Sequence, residues 1–408
     1  MIKLKKIMAL GLSALMVTSL VGCGGTTNAT ENKKSDSSKG TEITFWNSFT
    51  GADGDMLVKM VDKFNKENKD GIKVKMDISS DFDSQLSTAF AAGEGPTMIL
   101  SSSAYRFTYG DYLQDDDKTY FVPFQVVGYY MYWNKDLFKQ AGLDPETPPA
   151  NWDEWAKDAA KITDSSKNIY GSGISYDYAY QIAHIMQRFG GLAVTDDNGK
   201  WKANFENNAG YEKFLNMYKD MIDKGDNPVE ADTDSMVSAG QVGITVGGPW
   251  VTAGLDTAGV DYGIGLIPQD DAGDMNSVEV IGFGITTAAS DAEKEAAYKF
   301  IEWWNTQDKD GSSPALEWSL KNGFPAYTYS VQNNDEYKAN KKLSAMSAAN
   351  PEAPTDFIVD SNFPGINAVL SDVIPEMINS VAFGNSSVEE ALTKAQEATQ
   401  KIVDKYNK

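Results

Sequence analysis

The sequence predicts an α/β protein of two domains, and three observations carry that reading. Strand and helix periodicities alternate along the first third, amphipathic helices continue to the C-terminus, and the folded part is too long for one ordinary core. Ile43 and Phe45 alternate with polar neighbours in a short strand. Met56, Leu57, Met60, Val61 and Phe64 repeat at helical spacing, and Ile72, Val74, Met76 and Ile78 alternate again, which completes a βαβ unit. Phe82, Leu86 and Phe90 predict a helix ending at Gly93, ahead of a strand around Met98 to Leu100. Later helices are marked by Trp152 to Ile162, by Tyr211, Phe214, Leu215, Tyr218, Met221 and Ile222, and by Ala296, Phe300, Ile301 and Trp304. Ser290 with Glu293 and Ser387 with Glu390 form capping boxes, in which hydroxyl and carboxylate satisfy free helix amides reciprocally. Strands alternating with such helices imply mostly parallel sheets.

The first residues read as an export signal. Lys3, Lys5 and Lys6 form a basic start, and Ile7 to Leu20 is an uncharged apolar stretch ending in small residues. That stretch is too short for a bilayer about 30 Å thick, which needs ~20 apolar residues. Leu20-Val21-Gly22-Cys23 resembles the lipobox of bacterial lipoprotein signals. The resemblance implies removal of residues 1–22 and a diacylglyceryl group on Cys23, anchoring the chain to the outer face of the cell membrane; two acyl chains hold stably where one holds marginally. The alternative is an ordinary secretory signal with an incidental cysteine. Cys23 is the only cysteine, so no intramolecular disulfide can form. Residues 23–40 are small and polar, without apolar periodicity, as in a solvated tether.

Composition narrows the function. Loss of residues 1–22 takes three lysines and no acids, lowering the formal charge from -22 to -25. Such an acidic surface argues against nucleic acid or an anionic membrane surface as partner. Arg106 and Arg188 are the only arginines, whereas anionic ligands usually call for guanidinium forks. Catalysis finds little support: His184 is the sole histidine, and there is no nucleophile elbow, metal-ligand cluster or phosphate-cradling loop. The 58 acidic residues leave a glycosidase pair open, but nothing in the sequence sets such a pair across one cleft. Asp270, Asp271, Asp274, Asn276 and Glu279 miss the EF-hand spacing and read as a solvated loop. No metal or cofactor is expected.

A series of landmarks covers nearly the whole mature chain: Ile43-Thr44-Phe45-Trp46-Asn47-Ser48-Phe49-Thr50-Gly51, Ala92 to Pro96, Val122-Pro123-Phe124, Tyr132 to Phe138, Pro148 to Glu154, Gly247-Gly248-Pro249-Trp250, Glu293 to Trp304, and Gly323-Phe324-Pro325-Ala326. In this order they resemble the family 1 extracellular solute-binding proteins. The resemblance implies a two-lobed, maltose-binding-protein-like fold of the type II periplasmic-binding-protein class, with a ligand cleft between the lobes. It also implies a non-enzymatic receptor that takes a sugar or oligosaccharide by hinge closure and passes it to the transmembrane subunits of an ABC importer. The expected lobes are 41–125 with 280–327 and 126–279 with 328–408. The expected crossings lie near Phe124 to Tyr130, Val280 to Thr286, and Pro325 to Tyr329. Two departures are visible: Thr97 stands where the family often has Asp, and Ser101 to Tyr120 is short.

Sugar recognition needs flat aromatic faces for C–H surfaces and planar polar groups for hydroxyl pairs. Trp250, exposed by the small residues before it, ranks first; its alternative is a core indole. Trp46 follows the first strand, and Phe283 lies in the second crossing. In the run Tyr129, Tyr130, Tyr132, Trp133 alternate members face opposite sides, and Tyr130 is expected at the cleft. Tyr176, Tyr178 and Tyr180 precede a helix holding Gln181 and His184, with Tyr178 the expected contact. Polar candidates are Asn47, Ser48, Asp53, Asp55, Asp81, Asp83 and Glu94. Asp53 and Asp55 also suit a helix start electrostatically, while Asp53 or Asp83 could accept two sugar hydroxyls each. The expected ligand is a neutral mono- or oligosaccharide and the expected state a monomer. Alternatives are a glycerol-phosphate or polyol receptor, a secreted carbohydrate-active enzyme, and an adhesin.

Overall fold

A computed structural model describes residues 40–103, 105–114, 119–176, 178–229, 233–268, 270, 278–348 and 363–407. The signal, Cys23, the tether and the acidic run 271–277 lie outside the described residues. In chain order the strands are β1 (Glu42–Asn47), β2 (Lys73–Ile78), β3 (Met98–Ser102), β4 (Val122–Gly128), β5 (Tyr130–Asn134), β6 (Tyr170–Gly173), β7 (Val194–Asp196), β8 (Trp201–Ala203), β9 (Val242–Gly247), β10 (Tyr262–Gly265) and β11 (Val278–Ile285). They form a sheet of order β2-β1-β3-β11-β4, a second of order β10-β5-β9-β6, and the small pair β7-β8.

The expectation of mostly parallel sheets needs correction. β1 pairs in parallel with β2 and β3, as a βαβ unit must, but β11 runs antiparallel to both β3 and β4. In the second sheet only β6 and β9 are parallel. The reversal is confined to β11: β4 leaves the first sheet running in the same direction as β1, β2 and β3, and β11, on which the chain re-enters from the second sheet, inserts between β3 and β4 the other way round.

The helices start and stop where their side chains dictate. Ala52–Glu67 carries Asp53 and Asp55 in its first turn, at the positive end of its dipole. Phe82–Ala92 ends on Gly93 at φ 73°, the left-handed conformation a helix stop favours. Asn151 caps Trp152–Ile162 through Glu154 N, and both capping boxes form, at Asp291–Asn305 and Val388–Val403.

Each large sheet has its own core. Beneath the first, Phe45, Phe124, Phe283, Phe300, Trp304 and Trp318 interlock, with Phe124 edge-on to Phe283 at 5.2 Å between ring centres. Beneath the second, Trp152, Trp155, Phe189 and Phe214 pack with Ile374, Ile378 and Leu392 of the C-terminal helices. Removing one such ring costs about 3–5 kcal/mol. The chain leaves the first sheet at Gly128 and enters the second at Tyr130, with Tyr129 alone between them. It returns before Val278. Val331, Tyr337 and Leu343 belong to the first core, so the first lobe's packing extends past residue 327; Met346, one turn on from Leu343, packs with Tyr130 and Tyr132 of the second sheet. No helix among the described residues is long and apolar enough to cross a membrane.

Candidate ligand-binding cleft

Asn47 shapes the start of the cleft. Its buried side chain accepts a hydrogen bond from Phe49 N at 3.0 Å, and the turn so formed carries Ser48 and Phe49 off the end of β1 to the cavity edge. From the first sheet's side, Ser48, Phe49, Asp83, Ser101, Ser102, Tyr105, Glu279 and Ile281 line a cavity of about 720 Å³. Facing them are Tyr178, Ala179 and Tyr180 at the start of the helix Ala179–Gly190, and Ile366, Asn367, Leu370, Ser371 and Pro375 near the C-terminus. Pro375 has no N–H to offer Ser371 four residues earlier, and Val369–Val373 widens there into a π-helical turn. A second chamber of about 280 Å³ shares Phe49, Tyr178, Tyr180, Glu279 and Ile281 and adds Asp53, Gln125, Val127, Tyr129, Trp250 and Phe324.

Trp250 reaches this chamber because Gly248 is bare: a Cβ there would fall 2.1 Å from the indole. Trp250 is 36% exposed and stands edge-on to Tyr129 at 5.6 Å. The Tyr129 and Tyr178 hydroxyls bond each other at 2.7 Å, and His184 stacks behind Tyr129 at 3.9 Å. On the opposite side the Tyr105 hydroxyl donates to Asp83, and Gln125 accepts from Trp318 Nε1 at 2.7 Å.

The electrostatics are one-signed. Burial holds the Glu279 carboxyl above the ordinary range, opposed by a hydrogen bond with Ser102. Burial first, then the charges of Glu279 and Asp83, push the Tyr180 phenol up to about 12. Burial, then Tyr178, raises Tyr129, and burial raises Tyr105, with Asp83 adding to it. Burial alone lowers His184 from 6.5 to about 3, so its ring is neutral. Arg106 donates to the Ser103 carbonyl at 3.0 Å and Arg188 to the Ile267 carbonyl at 2.7 Å, and neither lines the cleft. No Lys, Arg or His is among the described lining residues.

Of the residues expected here, Ser48, Asp53, Asp83, Tyr178 and Trp250 line the cleft, and Asn47 lies buried just beneath it. Three expectations are corrected. Tyr130 is 1% exposed: both faces of β5 are covered, Tyr130 and Tyr132 entering one cluster and Met131 and Trp133 another. Phe283 is 1% exposed because the β11 face that begins at the cleft with Glu279 and Ile281 runs down into the first core. Trp46 packs, half-buried, against the cluster of Phe82, Leu86 and Phe90. Asp55, Asp81 and Glu94 do not line the cleft, and the departure at Thr97 is buried, accepting from Thr44 N at 3.2 Å. The reading of Glu279 as part of a solvated acidic loop is also corrected: it is the one acid in the otherwise uncharged strand Val278–Ile285 and it lines the cleft. Sequence reasoning missed Ser101, Ser102, Tyr105, Gln125 and the 366–375 segment, which only tertiary folding brings to the site.

The model of the family described as bacterial extracellular solute-binding protein matches residues 50–310. The chain belongs to this family. It is a binding protein rather than an enzyme. It is similar to the sn-glycerol-3-phosphate-binding periplasmic protein of Pectobacterium atrosepticum, at 26% identity over 420 residues that cover 90% of this chain and 92% of that one. A solved ABC transporter solute-binding protein from Thermotoga lettingae, bound with alpha-D-tagatose, superposes with a TM-score of 0.73 at 22% identity, covering 89% of this chain and 100% of the other. The maltose/maltodextrin-binding domain of Bdellovibrio bacteriovorus, bound to maltotriose, gives a TM-score of 0.72 at 20% identity with the same coverage. The two-sheet architecture is therefore the periplasmic-binding-protein fold expected from the landmarks.

Proposed function

We propose that this solute-binding protein serves an ABC importer as a receptor lipid-anchored through Cys23, and that it captures a saccharide bearing no anionic group, with an uncharged sugar or oligosaccharide as the base case. The observation that carries the ligand class is the cleft's lining: aromatic faces from Phe49, Tyr178, Tyr180 and Trp250 beside Asp53, Asp83 and Glu279, with no cationic side chain among the described lining residues. Flat rings suit the C–H faces of a pyranose, and carboxylates accept paired hydroxyls. The same carboxylates repel a phosphate. A receptor for glycerol phosphate, the reading favoured by the Pectobacterium relative's name, lacks a described guanidinium or ammonium to hold the anion.

Closure follows from the ligand touching both sides. A sugar wedged between the first-sheet acids and the second-sheet rings binds the closed form better than the open one, which is the condition for shifting the equilibrium. The lobes, 41–125 with 280–327 and 126–279 with 328–408 apart from the residues up to Leu343 that pack in the first core, would move about the strand crossings, the receptor acting as a monomer.

The test is a thermal-shift screen of residues 24–408 against sugars, oligosaccharides, polyols and sugar phosphates. Ligand at about 100 times its Kd stabilises by ~2.7 kcal/mol. Shifts with saccharides and none with phosphates are expected; shifts with phosphates alone would overturn the reading. For the anchor, metabolic labelling with a clickable fatty acid should mark the full chain and not its Cys23→Ala variant.

A further inference from the structure

Resting on the saccharide reading above, we propose that the sugar this cleft prefers carries a protonated amine, seated beside Glu279 where the two chambers meet, and that Glu279 makes that choice. Glu279 lines both chambers together with Tyr178 and Tyr180. Asp53 lies in the smaller chamber and Asp83 in the larger, so every titratable acid lining the described site is of one sign, with no basic lining residue to balance it. Between residues 40 and 407, the positions outside the described set contain one basic residue, Lys118.

Lobe closure takes these carboxylates out of water, and an uncompensated buried carboxylate is costly. Asp83 has the Tyr105 hydroxyl as a donor, and Glu279 has Ser102. Those donors are neutral and leave the charge in place. The Tyr180 phenol rises through burial first and then through the charges of Glu279 and Asp83, which belong to the same negative field. A sugar made only of hydroxyls can hydrogen-bond to Glu279 but brings no charge. An ammonium brings the missing charge, and the faces of Tyr178, Tyr180 and Trp250 are surfaces on which a cation gains further. The same field rejects phosphorylated and carboxylated sugars, so one residue would set both the preference and the exclusion.

The experiment is calorimetric titration of residues 24–408 with matched pairs: D-glucosamine against D-glucose and N-acetyl-D-glucosamine, and D-galactosamine against D-galactose, below the pH at which the sugar amine titrates. The amine should bind at least about tenfold tighter than its neutral partners. Glu279→Gln should bring the amine-to-neutral affinity ratio, read within the variant itself, to within about threefold. A readout needing no variant is pH: above the amine's own titration the preference should vanish in the unaltered protein. Neutral sugars binding as tightly as their amines, or a preference that survives deprotonation, would overturn the inference and leave the saccharide reading standing. Failure of neutral and amino sugars alike, with the oligosaccharides of the thermal screen silent as well, would overturn both.

Discussion

The two walls of the cleft are built from different chemistry. The first sheet's wall presents Ser48, Ser101, Ser102, Asp53, Asp83 and Glu279; the second sheet's wall presents Tyr178, Tyr180, Trp250, Ile366, Leu370 and Pro375, with Tyr129 at the passage between the sheets. All the described lining acids stand on the first wall, among Phe49, Tyr105 and Ile281, whereas the second wall as described carries no charge and offers mainly ring and apolar surface, with Asn367 and Ser371 as its polar side chains. A ligand with two kinds of face, hydroxyl edges and C–H planes, satisfies both at once, and only when the walls approach. This difference between the walls is what the proposed closure would use.

The largest test of the aromatic wall is acid. His184, buried behind Tyr129, stays neutral in the fold down to about 3, whereas the unfolded chain takes up a proton near 6.5. Its contribution is therefore present above pH 6.5 and drains away as pH falls toward 3, the loss amounting to about 3 kcal/mol by pH 4. Urea unfolding at pH 7 and pH 4 should show His184→Phe, which keeps a ring against Tyr129, losing that much less than the unaltered protein. Equal losses would place the acid sensitivity elsewhere.

Next comes the indole. Trp250→Ala should weaken saccharide binding by about 1–3 kcal/mol with the fold intact by circular dichroism, since a stacking face is lost. Unchanged affinity would take Trp250 out of the site. Tyr178→Phe removes the hydroxyl paired with Tyr129 and keeps the ring, so a loss of about 0.5–1.5 kcal/mol in binding is expected by titration. A loss as large as that of Trp250→Ala would mean the hydroxyl, not the face, contacts ligand. Smallest is Tyr130→Phe, in the core and away from both chambers, which should leave affinity within about 0.5 kcal/mol whatever it does to stability. A larger shift would show that the cleft extends through β5.

The walls also differ in how much of them the sequence disclosed. Helices with strong periodicity and local caps were readable: Trp152–Ile162 and both capping boxes depend on neighbours within a few residues. The exposed indole after Gly248 was readable because a bare turn and a large ring leave a local trace. The sheet directions were not, since the reversal of β11 depends on where it inserts when the chain returns to the first sheet. Tyr130 and Phe283 misled for a related reason: alternation tells which residues share a face, but not whether that face meets cleft or core. Glu279 was read with the acidic run before it, whereas it belongs to the strand that follows, and its lone charge among apolar neighbours was the usable sign. The 366–375 segment left no sign, because its approach to the cleft is wholly tertiary.

The most direct measurement is a calorimetric titration of residues 24–408 with the best saccharide from the thermal screen, side by side with sn-glycerol 3-phosphate in the same buffer. Saturable binding of the saccharide with no heat from the phosphate is the expected result. Saturable binding of the phosphate, with the saccharide silent, would contradict the assignment of an acidic, ring-lined cleft to a non-anionic sugar.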